Sequence, residues 1–83
     1  MDITKDFLYE VGKKITQFRT KNEQTLDDIE FLTGIDSSDI NKYEKGKTNF
    51  TIKTIIKISI ALHVSPKELF DFDFDLKKYK IEE

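Results

Sequence analysis

The chain has no cysteine and no tryptophan, and only one proline, three glycines and one histidine among its 83 residues. Without cysteine there is no disulfide framework and no thiolate metal site, and a reducing compartment is the natural setting. One histidine makes no metal cluster, and no glycine-rich loop is present to cradle a phosphate. Enzyme readings therefore find little support: the protein is expected not to be an enzyme, and neither cofactor nor metal is expected. Long apolar runs are missing too. The densest stretch, residues 52–62, is interrupted by Lys53, Lys57 and Ser59 and is far too short to span a bilayer. Residues 1–6 lack the basic-then-apolar order of a secretory signal. These absences point to a cytoplasmic protein without a membrane segment.

What is present is enough for one small domain. The apolar fraction is 37%, but seven Phe and three Tyr make a compact core feasible. A core of this size is marginal and is often supplemented by self-association. The net charge of −2 argues against indiscriminate nucleic-acid binding. Its distribution is uneven, however. Residues 25–40 hold five acids and no base, whereas residues 41–57 hold five lysines against Glu44 alone. A basic block inside an acidic chain is the asymmetry that a nucleic-acid surface uses.

Periodicity and punctuation divide the chain into five helices. The first covers residues 4–21, with Phe7, Leu8, Val11, Ile15 and Phe18 at helical spacing. Gly12 weakens it by about 1 kcal/mol relative to Ala, which suggests a late start or a kink there. Thr25 caps a short second helix that buries Leu26 and Ile29 and stops at Gly34. Asp36 caps a third, with Ile40 and Tyr43 inward and Gly46 as its stop. Thr51 caps a fourth, rich in isoleucine. Ser65-Pro66-Lys67-Glu68 opens a fifth as a capping box with proline at the first helical position. Residues 71–76 then alternate Asp and an apolar residue, a period of two that suits a strand.

Two short helices joined at a glycine make a helix-turn-helix pattern. The ordered set Val11-Gly12-Lys13-Lys14-Ile15, Thr25-Leu26-Asp27-Asp28-Ile29, Thr33-Gly34-Ile35-Asp36 and Ser37 through Lys47, followed by residues 51–55 and 61–70, resembles the Cro/repressor (XRE-type) helix-turn-helix family. The likeness spans about residues 9–70, and its near-constant spacing is more specific than any one motif. It implies an all-α, repressor-like helix-turn-helix domain over residues 1–70, with residues 71–83 as a tail. It also implies a sequence-specific transcriptional regulator that binds double-stranded DNA, as a homodimer, with the third helix in the major groove.

A wheel count supports that placement independently. Asn41, Lys42 and Lys45 fall within about 60° of Ser38, while Ile40 and Tyr43 lie on the far side. An exposed face of any helix is polar, so the wheel gains force from the family pattern. The expected base-reading residues are Ser37, Ser38, Asn41 and Lys42: Asn41 suits an adenine edge, and Lys42 suits guanine O6 and N7. Phosphates are expected at Thr25 and Thr51, where helix N-termini offer amides, and at Lys45, Lys47, Thr48 and Asn49. The resemblance further implies that Arg19, the only arginine, pairs with Glu44 and ties the first helix to the third.

Some positions depart from the family. Glu30 stands where the family has alanine, so its carboxylate needs solvent or a cation. Leu26 replaces a phosphate-touching Gln, and Asp36 and Asp39 put negative charge near the DNA. The tail admits two readings: a strand pairing with its copy, since residues 71–75 are acidic and residues 77–80 basic, or a frayed end. A rival function also stands, a protein-interaction module of antitoxin or anti-repressor type.

Overall fold

The computed structural model describes residues 2–81, and its regular elements are helical throughout. Helix α1 spans Ile3–Lys21 and is capped by Asp2, whose carboxylate accepts from the Lys5 amide at 3.1 Å. It neither starts late nor breaks at Gly12. Helix α2 spans Leu26–Thr33, α3 Ser37–Glu44 and α4 Ile52–Leu62. Their caps are the expected ones. Thr25 accepts from Asp28 N, Asp36 from Ser38 N and Thr51 from Thr54 N. Gly34 ends α2 at φ 75°, the left-handed conformation that costs glycine nothing. His63 ends α4 in the same region, at φ 60°.

The fifth helix is a single 3₁₀ turn, Pro66–Phe70, in which the Glu68 carboxylate accepts from the Ser65 amide at 2.7 Å. The backbone leaves helical geometry at Asp71, at φ −86° and ψ 80°, and a run this short is the usual length of a 3₁₀ helix.

One side of each helix feeds a common core. Val11 and Ile15 from α1, Ile29 from α2 and Ile40 from α3 meet Ile55, Ile58 and Leu62 from α4, with Leu69 beneath them. All are at most 2% exposed, and each contributes roughly 1.5–3 kcal/mol by leaving water. Leu26 packs against this cluster. Two side chains of the α1–α2 connection close the open end of α4. Asn22 donates to the Leu62 carbonyl and Gln24 to the Ala61 carbonyl, both at 2.9 Å.

The tail is where sequence and structure part. Among the described residues there is no strand. The alternation at residues 71–76 does place Phe72 and Phe74 on one side, but a helix takes that side. Phe7 of α1 sits with its ring centroid 5.1 Å from both, and 6.1 Å from that of Phe70. Tyr79 stacks on Phe74 at 5.3 Å, and its hydroxyl donates to Asp6 Oδ2 at 2.8 Å. A lone strand has no ladder partner, whereas this aromatic cluster half-buries the same rings within the chain. Among the described residues no helix is long and apolar enough to cross a membrane.

Candidate nucleic-acid interface

The interface is built on α3, and its position follows from two glycines of opposite roles in the chain. At Gly12 the backbone of α1 meets the C-terminal carbonyls of α3 so closely that a Cβ would lie 2.6 Å from the Tyr43 oxygen. At Gly46, with φ 69°, the loop leaving α3 lies against α1 again, and a Cβ would lie 2.6 Å from Tyr9 Cα. The end of α3 is thus pressed onto α1 without an intervening side chain.

Charge then locks what contact aligns. Arg19 Nε donates to Glu44 Oε2 at 2.6 Å and Nη2 donates to Oε1 at 3.0 Å, a two-pronged pair between α1 and the last turn of α3. Arg19 Nη1 also donates to the Gln24 carbonyl at 2.9 Å, and the Thr16 hydroxyl donates to Glu44 Oε1 at 2.9 Å. The Glu44 side chain is only 7% exposed, so each of its oxygens needs these donors. Hydrogen bonding to Glu44 raises the Arg19 pKa above its ordinary value, outweighing the effect of burial. The structure brings these two residues together; Thr16 as a third member was not legible in the sequence.

At the other end of α3 three carboxylates gather. Asp36 caps Ser38, and bonds from the Ser38 amide and then its hydroxyl hold the Asp36 carboxyl below the ordinary carboxylate range. Glu30 accepts from the Ser37 amide at 2.7 Å. Its carboxylate therefore finds neither cation nor mere solvent but a free amide at the start of α3, which explains how α2 tolerates it. Asp39 lies 3.9 Å from Lys42 Nζ, a loose exposed pair.

The outward face of α3 carries Ser38 and Lys42 exposed, with Ser37 and Asn41 half-buried, while Ile40 is fully buried and Tyr43 packs edge-on against Phe50. Lys45, Lys47, Thr48 and Asn49 follow it as an exposed strip, and Thr51 stands exposed at the start of α4. The two helix N-termini differ electrostatically. The Thr25 amide already donates to Asp28 Oδ2 at 2.8 Å, and both Asp27 and Asp28 lie in that first turn. The first turn of α4 holds no acid. An anion is therefore better received at Thr51 than at Thr25.

This arrangement, a short helix presenting a polar face and fastened by its far end to the helix before the motif, defines a helix-turn-helix domain. The chain belongs to the helix-turn-helix family, whose model matches residues 12–71. It is 36% identical over 62 residues to the control protein C.BamHI of Bacillus amyloliquefaciens, covering 74% of this chain and 76% of that protein. Its fold is similar to the restriction-modification controller protein C.AhdI from Aeromonas hydrophila, with a TM-score of 0.74, 32% identity, and coverage of 76% of this chain and 96% of that one. A third relative, the controller protein C.Esp1396I, was crystallised as a tetramer in complex with its natural 35 base-pair operator. It matches with a TM-score of 0.71 and 28% identity over 78% of this chain and 86% of that one. The all-helical class and the family read from the sequence are both borne out.

Proposed function

We propose that the protein is a sequence-specific transcriptional regulator of the restriction-modification controller kind, which reads the major groove of double-stranded DNA with α3. The observation that carries this is the orientation of α3: its apolar side is sealed in the core, its far end is clamped by Arg19, and Ser37, Ser38, Asn41 and Lys42 form the side left facing outward. Asn41 offers the donor and acceptor pair that matches adenine, and Lys42 a cation for guanine. Both serines are short enough to let the helix approach.

Backbone contact is assigned to Lys45, Lys47, Thr48, Asn49 and Thr51, which continue the same surface. Thr25 contributes its hydroxyl hydrogen, since its amide is already engaged. These contacts fix register and carry no sequence information themselves. The carboxylates of Asp36, Asp39 and Glu30 lie beside the path of the DNA and hold nonspecific affinity down, in keeping with the net charge of −2. Residues 1–70 form the DNA-binding unit, which acts as a homodimer in the cytoplasm and carries out no catalysis of its own.

Fluorescence anisotropy on a random-sequence duplex over a salt series tests the class. Weak binding at low salt that falls steeply with added salt is expected. Absence of any duplex binding at low ionic strength overturns the reading in favour of a protein partner.

A further inference from the structure

Three amides open α3 before its own ladder begins, those of Ser37, Ser38 and Asp39. Asp36 takes two of them: its carboxylate accepts from Ser38 N at 2.9 Å and its carbonyl from Asp39 N at 3.0 Å. The remaining amide, that of Ser37, is taken by a residue of another helix. Glu30 Oε1 of α2 accepts from it at 2.7 Å.

Glu30 grips both sides of the turn. Its carbonyl accepts from the Gly34 amide, also at 2.7 Å, and so closes α2, while its side chain reaches the first amide of α3. Between them the Ile35 amide donates to Thr33 Oγ1 at 3.1 Å. Among the described residues, the Glu30–Ser37 bond is the one side-chain hydrogen bond that joins α2 to α3.

The two ends of α3 are fixed in different ways. The far end is enclosed, with the Glu44 side chain 7% exposed and the α1 backbone pressed against it at Gly12. The near end is open to solvent, and Ile40 is its first residue in the core. Over the roughly 12 Å of an eight-residue helix, a tilt of about 5° about the far end moves the near end by about 1 Å. A binding constellation needs its groups held within about 0.5 Å. Glu30 restrains the end where that tilt is largest. The same bond occupies an amide that a phosphate would otherwise attract, since free amides and the helix dipole together favour an anion there.

Resting on the assignment of α3 to the major groove, we infer that Glu30 is a positioning residue for DNA recognition. Its hydrogen bond holds Ser37 and Ser38 at one height over the base edges. Its charge, beside the path of the phosphates, weakens binding to every duplex alike. The bond sharpens discrimination and the charge lowers affinity, so the two effects are separable.

Glu30→Gln and Glu30→Ala separate them. Glutamine keeps an acceptor oxygen at the same reach, alanine keeps none, and both remove the charge. Affinities are measured by fluorescence anisotropy for a site selected by the wild type from a random pool and for random duplex. Both variants are expected to bind random duplex several-fold more tightly than the wild type. Glu30→Gln should keep the wild-type ratio of the two affinities. Glu30→Ala should lose about fivefold or more of that ratio, with preference relaxed at the base pairs beneath Ser37 and Ser38. In the free chain, exchange of the Ser37 amide measured by NMR should be about fivefold faster or more in Glu30→Ala than in the wild type, with Ile40 unchanged as the internal control.

A wild-type ratio in Glu30→Ala overturns the positioning role, as does an equal loss in Glu30→Gln or Ser37 exchange that alanine leaves unaltered. Failure of the wild type to bind any duplex removes the assignment of α3 itself. Selective binding by the wild type with an unaltered ratio in Glu30→Ala removes the role of Glu30 alone.

Discussion

Arg19 and Glu44 meet through two hydrogen bonds, 2.6 and 3.0 Å long, across 25 residues of sequence. The pair joins the last turn of α1 to the last turn of α3. Removing either partner leaves the other's charge half-enclosed, so Arg19→Ala and Glu44→Ala are each expected to cost about 2–4 kcal/mol. The double substitution should cost less than their sum. Urea denaturation of the four proteins measures this, and strictly additive losses contradict a direct coupling.

Gly12 gives the opposite sign to its propensity. In an isolated helix Gly12→Ala gains about 1 kcal/mol. Here the new methyl would meet the Tyr43 and Glu44 carbonyls at the end of α3, and a backbone shift costs about 1–3 kcal/mol or more. A lowered melting temperature is expected. A raised one would mean that α1 and α3 do not approach as closely as described.

The tail has a pH-dependent latch. Tyr79 donates to the Asp6 carboxylate, and that bond raises its phenol pKa above the ordinary 10.0. A raised folded-state value means that the protonated phenol is the stabilising form. Its contribution is fully present below pH 10 and is lost as pH rises through the raised value. The stability difference between wild type and Tyr79→Phe should therefore be constant from neutral pH to about pH 10 and vanish in strong alkali. A difference that grows with alkalinity would reverse the assignment.

Asp39 lies 3.9 Å from Lys42 and, if α3 reads DNA as proposed, competes with it for that cation. Asp39→Asn is expected to tighten duplex binding several-fold, with the largest gain at low salt. Lys47→Ala should weaken binding to all sequences alike and reduce the slope of log affinity against log salt by about 0.9. Equal slopes for wild type and Lys47→Ala would remove Lys47 from the backbone contacts.

Local chemistry was the most legible part of the sequence. Thr25, Asp36 and Thr51 cap the helices as expected because a cap involves only its own next three residues. The inward positions of Ile40 and Tyr43 follow from helical spacing alone. Arg19 with Glu44 was reachable only through the family likeness, since nothing local links them. Other features needed three dimensions. Gly12 reads as a weak point until the α3 carbonyls are seen above it. Glu30 reads as a misfit until the Ser37 amide is found at 2.7 Å. Phe72 and Phe74 show one-sidedness in their spacing, but their partner Phe7 lies at the opposite end of the chain. Asn22 and Gln24 carry no signal of the α4 carbonyls that they close.

The most direct test of α3 as the reading element is selection of bound sites from a random duplex pool, repeated with Asn41→Ala and Lys42→Ala. The wild type should enrich one short sequence. Each variant should bind that sequence about 1–3 kcal/mol more weakly and lose preference at one base pair, while keeping its affinity for unrelated duplex. Enrichment of the same sequence with undiminished affinity by both variants would contradict the assignment of this face to the DNA.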